Sequence, residues 1–293
     1  MKITCLMENT VGNELCQSEH GLSLYVETKD KTMLIDTGAS GLFVENSKNL
    51  GVNLSKVETV FLSHGHYDHG GGILEFHKIN PTAEIVMQKS ALRDYWHKSD
   101  TVEKYIGLNP AIKELESLTL AEGSFIYYSK DMKFGLESEM QEAIHVFTLD
   151  GAKQTDLKCW PEGNLVLKEK IGGEYVQDRF VHEQYIVVQE QGKSVLISGC
   201  AHNGILNILE EYQRKYGNNP DVIISGFHMR KKNGYSECDY EVIKETAKIL
   251  KSTGILCYTG HCTGEEPYQL MKQVMGEQLQ YVHCGDSIII ECR

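Results

Sequence analysis

No CxxC pair occurs in this chain, and its nine cysteines (Cys5, Cys16, Cys159, Cys200, Cys238, Cys257, Cys262, Cys284 and Cys292) are scattered and odd in number. That spacing argues against a secreted disulfide framework and for a reducing cytoplasm. Long hydrophobic runs are also missing. Nothing approaches the ~18 consecutive apolar residues of a membrane span, so no membrane association is expected. The opening "MKITCLMENTVG" holds one lysine and no sustained apolar run, and does not read as a signal peptide. Positive charge is scarce: 29 Lys and Arg stand against 41 Asp and Glu, a formal net charge of −12. A general nucleic-acid binder needs the opposite balance, although a local basic pocket for a small anion remains compatible with it. There is no linker rich in Pro, Gly or Ser, no low-complexity segment and no repeat, so a single domain over residues 1–293 is expected. Finally, neither a G-x-S-x-G elbow nor a convincing Ser-His-Asp set is present.

What is present is an ordinary globular composition, 41% apolar and 24% charged, arranged in strand and helix rhythms. "GLSLYVET" alternates Leu22, Leu24 and Val26, the period of a half-buried strand. "KTMLIDTG" and "VETVFLS" are apolar runs that open into loops at Asp36 and His64. "GLFVENSKNLGV" carries a short helical pattern, and the segment after Gly70-Gly71-Gly72 can begin another helix. The last hundred residues repeat strand then helix. Ile205, Leu209, Tyr212 and Tyr216 form one stripe, and Tyr240, Ile243, Ala247 and Leu250 another, with Gly254 as a stop. Strands packed between helices imply a layered α/β structure. Residues 89–140 are polar, dotted with aromatics and partly helical in pattern, and read as an insertion or lid.

"HGHYDH" concentrates His64, His66, Asp68 and His69. Imidazoles with one carboxylate suit zinc, iron or manganese. Without a thiolate in the cluster, an open catalytic site is favoured over a closed structural one. His64 and His66 can meet one ion, leaving Asp68 and His69 for a second. Three later strands each run into a histidine: "SGCAH" at His202, "SGFH" at His228 and "TGH" at His261. Open α/β sheets bind ligands beyond the carboxyl ends of their strands, so these would converge on one rim. Asp36, also at a strand end, can accept an imidazole N–H and fix a tautomer. Cys200 and Cys262 read as small buried hydrophobes, and His20, His77, His97, His145 and His283 as structural or surface residues. Lys89, Arg93, Arg179 and Tyr67 are available to contact an anionic substrate. Tyr95 and Trp96 read first as local packing, and second as a cover for a flat ring.

These motifs, with "SGCAHNGI", "SGFHM" and "TGHCTG", resemble the metallo-β-lactamase superfamily. The branch is that of metal-dependent hydrolases related to 7,8-dihydropterin-6-methyl-4-(β-D-ribofuranosyl)aminobenzene-5′-phosphate synthase. The resemblance runs from about residue 20 to the end. It implies an αββα sandwich with a dinuclear site and two divalent ions, zinc first, manganese or iron as alternatives. By position, His64, His66 and His202 would hold one ion, and Asp68, His69 and His261 the other. His182 in "DRFVHEQ" competes with His202. Many members carry a bridging aspartate where this chain reads Ser198-Gly199-Cys200-Ala201-His202. The implied activity is hydrolysis of a small ester-like or phosphorylated compound, with water acidified by the ions. Asp68, His228 and Asp36 are the expected catalytic and supporting side chains. A synthase-type condensation and an iron-dependent redox protein are the alternatives. The expected partner is a small molecule, and the oligomeric state is not readable.

Overall fold

Strand by strand, apolar side chains alternate between two different cores, which is the signature of sheets buried on both faces. In Thr32–Ile35, Met33 and Ile35 enter one core and Leu34 another. In Tyr185–Glu190, Ile186 and Val188 enter the shared core, while Tyr185 and Val187 face away. The computed structural model describes residues 1–128, 131–133, 144–149, 160–231 and 234–291.

Two sheets result. The first runs in the order Ser287–Ile289, Lys2–Met7, Ser23–Glu27, Thr32–Ile35, Thr59–Phe61, Glu84–Gln88, Leu118–Ala121. The second runs Asp131–Lys133, Phe125–Tyr128, Ile144–Phe147, Tyr185–Glu190, Lys193–Ile197, Val222–Ile224, Leu256–Thr259, Leu279–Tyr281. They face each other across a core built from both, including Val26, Ile35 and Phe61 against Val146, Ile186 and Ile197. The outer face of the first sheet is covered by the helices Leu42–Asn49 and Ile73–Ile79 through Phe43, Val44, Ile73 and Phe76. That of the second is covered by Ile205–Tyr216, Glu237–Thr253 and Glu265–Met275 through Leu209, Tyr212, Ile243, Leu250 and Met271. This is the αββα sandwich. Of the stripes marked in the sequence, Ile205, Leu209 and Tyr212 and Ile243, Ala247 and Leu250 are buried, while Tyr216 and Tyr240 are half-buried at their ends. The Glu237–Thr253 helix ends at left-handed Gly254 after starting on a Ser236/Asp239 capping box. Among the described residues no helix is long and apolar enough to cross a membrane.

The stretch 89–140 departs from the helical or irregular insertion expected of it. Its described residues form short 3₁₀ turns and strands; residues 129–130 and 134–140 lie outside the description. Leu118–Ala121 edges the first sheet and Phe125–Tyr128 joins the second. Tyr95–Lys98 and Glu103–Tyr105 pair with Leu167–Ile171 and Glu174–Gln177 in a third, four-stranded sheet. Runs of three or four residues are too short to show a period, and aromatic side chains favour the pleated surface. Tyr95 is fully buried and its hydroxyl donates to Ser90 O, so it is packing.

The parallel segments of both sheets point their carboxyl ends at one rim. The turn after Thr59–Phe61 must pass close under the loop after Thr32–Ile35. A Cβ on Gly71 would overlap the carbonyl oxygens of Ala39 and Tyr67, and one on Gly72 those of Thr37 and Ser40 and the Phe43 ring. Gly72→Ala is expected to destabilise the fold by about 1–3 kcal/mol, read as a lower midpoint in chemical denaturation.

Candidate metal centre

His64 lies just past the strand Thr59–Phe61, and His66 caps the short helix Tyr67–Gly70 that carries Asp68 and His69. His202 comes from the loop after Lys193–Ile197. Ligand nitrogens of His64, His66 and His202 lie within 4.8 Å of one another. The Nε2 atoms of all three are buried without a hydrogen-bond partner. Buried polar atoms left unpaired are rare and costly, and three converging together form a donor set for a cation. Two tautomers are legible. Ser63 Oγ donates to Asp36 Oδ2 (2.7 Å), so its contact with His64 Nδ1 (2.9 Å) has the imidazole donating. His202 Nδ1 donates to Asn164 Oδ1 (2.9 Å). Each leaves Nε2 as a free lone pair. Burial, followed by neighbouring imidazoles, holds His64 and His202 well below the usual histidine range, and burial with His182 beside it lowers His66 to about 3. The three are therefore neutral donors at neutral pH.

A second group sits beside them. His69 Nδ1 donates to Asp36 Oδ2 (2.6 Å) and His261 Nδ1 to Asn9 Oδ1 (2.9 Å). Their Nε2 atoms then face each other at 3.2 Å, with Asp68 Oδ2 3.4 Å from His261 and 3.9 Å from His69. Two imidazole nitrogens this close, both with their other nitrogen committed, need a proton or a cation between them. Burial alone would lower His69, but the Asp36 carboxylate overrides it and raises His69 to about 9. Asp68, despite burial, is held well below the usual carboxylate range by His261, His69 and His20.

A pH prediction follows from this asymmetry. In metal-free protein below about pH 9, an ion entering the His69 half must displace a proton. Its apparent affinity should rise about tenfold per pH unit up to that value. The His64–His66–His202 half should be pH-independent from neutrality upward. Calorimetry at pH 7 in buffers of differing ionisation enthalpy is expected to show about one proton more released on filling the His69 half than on filling the other.

The structure places the other sequence candidates as follows. His182 accepts from Gly65 N–H at Nδ1 (2.9 Å) and donates from Nε2 to Asp178 Oδ2 (3.1 Å), so both of its nitrogens are occupied. It braces the His64–His66 loop, while His202 offers the free nitrogen. His228 is half-buried, its ring 4.2 Å from that of His202 and its buried Nδ1 without a partner. Asp36 is fully buried, and its oxygens accept from Ser63 N–H (2.7 Å), Ser63 Oγ and His69. It cannot touch a substrate, so its part is to position. Cys200 is more than a small hydrophobe: its Sγ is 3.2 Å from His69 Nε2 and groups with His64 and His69, between the two halves, where the aspartate is missing. His20 is not merely a surface residue, since its Nε2 lies 3.3 Å from Asp68 Oδ2 and its ring stacks on His261 at 4.8 Å. Lys89 and Arg93 pair with Glu122 (2.9 Å) and Glu169 (3.3 Å), and Tyr67 accepts from Lys104 (3.2 Å).

Sequence reasoning missed the segment 178–184 as a scaffold. Asp178 holds His182, Glu183 holds the His202 loop, and Gln184 Nε2 donates to Leu62 O (2.8 Å). Phe180 stacks on the His202 ring at 4.5 Å with planes 2° apart. Asp36, Phe180, Ala201, His228 and His261 have φ between +48° and +60°. Non-glycine residues in this region are strained and persist where surrounding contacts hold them, characteristically at functional sites.

Residues 19–147 match the metallo-beta-lactamase superfamily. Over 300 aligned positions the chain is 27% identical to the 7,8-dihydropterin-6-methyl-4-(beta-D-ribofuranosyl)-aminobenzene-5′-phosphate synthase of Methanocaldococcus jannaschii, covering 98% of this chain and 96% of that one. A UPF0173 metal-dependent hydrolase of Staphylococcus aureus is 30% identical over 95 residues, 31% of this chain and 38% of its own. Among solved structures, Tm1679, a metal-dependent hydrolase of the beta-lactamase superfamily, superposes with a TM-score of 0.78 at 25% identity over 99% of both chains.

Proposed function

We infer, for a chain that carries a metallo-beta-lactamase superfamily domain, a metal-dependent hydrolase acting on a small ester-like or phosphorylated substrate. The superfamily implies divalent metal binding, and the observation that carries the reading is the trio of unpartnered, buried Nε2 atoms of His64, His66 and His202. The residues offer two donor sets: that trio for one ion, and for the other Asp68, His69 and His261, whose facing atoms lie 3.2 to 3.9 Å apart, with His20 beside Asp68 and His261 and the Cys200 sulfur 3.2 Å from His69. Zinc suits imidazole with sulfur, and manganese or iron are the alternatives. When bound, divalent ions supply an acidified water as nucleophile and stabilise the developing oxyanion.

The chain's own residues set the rest. Asp36 keeps His69 in the tautomer whose Nε2 faces inward. Asp68 is an ionised acceptor at the mouth, beside half-exposed His20. His228, with its unpartnered Nδ1 next to His202, is placed to bind the substrate or hand a proton to the leaving group. The third sheet adjoins the His66 loop through Tyr95 and through Tyr67 N–H, which donates to Ile106 O (2.8 Å). Substrate specificity is assigned to it.

A second reading, condensation of the kind named for the synthase, draws support from the near full-length similarity to that protein. The experiment is a panel of chromogenic phosphodiesters, phosphomonoesters and esters offered to metal-replete protein, with a pterin substrate as a separate arm. Turnover abolished by a chelator and restored by zinc or manganese is expected on the panel. Turnover of the pterin alone would replace the hydrolase reading by the synthase one.

A further inference from the structure

The two late histidines are held in the same way by unrelated parts of the chain. Glu183 Oε1 accepts from the His202 main-chain N–H (2.7 Å), while Asn164 donates from Nδ2 to His202 O (2.7 Å) and accepts His202 Nδ1–H at Oδ1 (2.9 Å). Glu8 Oε1 accepts from the His261 main-chain N–H, while Asn9 donates from Nδ2 to His261 O (3.0 Å) and accepts His261 Nδ1–H at Oδ1 (2.9 Å). Each glutamate also takes a tyrosine hydroxyl, Tyr185 on Glu183 (2.7 Å) and Tyr281 on Glu8 (3.1 Å). The pattern repeats: a carboxylate oxygen on the N–H, an amide on both the C=O and Nδ1, and a phenol on the carboxylate, at the other oxygen in Glu183 and at the same oxygen in Glu8.

Both glutamates are buried, at 1% and 0% exposure. A buried carboxylate is costly unless donors saturate it. Here they do: Glu183 Oε2 also accepts from Asn203 N–H and Asn203 Nδ2 (both 3.0 Å), and Glu8 Oε2 from Thr10 N–H (2.6 Å) and Thr10 Oγ1. The loops they grip need holding, because Ala201 (φ +52°) and His261 (φ +48°) are left-handed without being glycine. The amide contact on Nδ1 has a second effect. It fixes the proton there and leaves Nε2 as the lone pair turned to the centre.

We propose that Glu183 with Asn164, and Glu8 with Asn9, are twin three-point clamps, each a set of positioning residues for one half of the metal centre: the first for the His64–His66–His202 half through His202, the second for the Asp68–His69–His261 half through His261. This rests on the metal-centre reading above, and goes beyond it in predicting that the halves can be weakened independently from outside the donor set.

The test is cobalt(II) titration of metal-stripped protein, followed by equilibrium dialysis and by the visible spectrum of the bound ion, in wild type, Asn164→Ala, Asn9→Ala and the conservative Asn164→Asp and Asn9→Asp. Asn→Asp keeps an acceptor for Nδ1–H. Expected is a 10–100-fold loss of affinity for one of two equivalents in each alanine variant. The ion retained in Asn164→Ala should have the spectrum of that left in His66→Ala, and the ion retained in Asn9→Ala that left in Asp68→Ala. The aspartate variants should recover most of the loss. Thermal unfolding of the metal-free variants separates a local effect from a weakened fold. Should the alanine variants bind both equivalents as tightly as wild type, or lose both in parallel, the clamps are overturned while the metal centre stands. Failure of the wild type to take up cobalt would overturn both.

Discussion

His66→Ala is expected to abolish turnover and to release the ion of the first half. His66 Nε2 converges with those of His64 and His202, and none of the three has a hydrogen-bond partner. Removing it leaves His64 and His202, two donors where a four-coordinate site takes at least three from protein. The loss should exceed the roughly 10–100-fold typical of removing an outer partner. It should appear both in metal content and in kcat/KM. The fold should survive, because an unpartnered imbalance is being removed and not a hydrogen bond. Circular dichroism close to wild type, with fewer bound ions, is the expected combination; full metal content with full activity would remove His66 from the centre.

Asp36→Asn is expected to have the second largest effect, through chemistry and stability together. Asp36 accepts from Ser63 N–H, Ser63 Oγ and His69 Nδ1 with no solvent exposure. An asparagine has one oxygen and an NH₂ that must face one of these donors. If it faces His69, the ring's proton moves to Nε2 and the lone pair needed at the centre is lost. If it faces Ser63, the turn that carries His64 loses its main-chain anchor. Metal affinity in the second half should fall about 10–100-fold, and folding stability by about 3 kcal/mol, the scale for breaking a buried, hydrogen-bonded charge. Equilibrium dialysis and urea denaturation read the two separately. Wild-type affinity with reduced stability would make Asp36 a purely structural residue.

The early cluster was legible in the sequence because its four side chains sit within six positions, bounded by a strand and three glycines. His202 and His261 were legible because the strand–helix rhythm marks where strands end. The two helices over 205–216 and 237–253 were legible from a single apolar stripe each. What holds these residues was not. Asn9 meets His261 across 252 positions and Asn164 meets His202 across 38. A lone asparagine or glutamate carries no local pattern, so only the packed sheets reveal its partner. His182 illustrates the converse. In the sequence it is a competitor of His202, and in the structure Gly65 N–H and Asp178 meet its two nitrogens, while His66, Asp178 and His182 lie close enough together to share an ion. Cys200 was read by residue type as a hydrophobe, and only its position past a strand end puts the sulfur against His69. The third sheet escaped because its strands are three to five residues long and its two hairpins meet only through Tyr95–Lys98 and Leu167–Ile171, 70 positions apart at Leu167 and His97.

We propose that two neighbouring donor sets each hold a divalent ion and that the chemistry depends on them. Stripping the purified protein with a chelator, reloading it with zinc and measuring bound metal alongside turnover of an activated phosphodiester tests it most directly. Two ions per chain and activity that returns as they bind are the expected result. A stripped protein that takes up no zinc, or that turns over at an undiminished rate without it, would overturn the metal-centre reading.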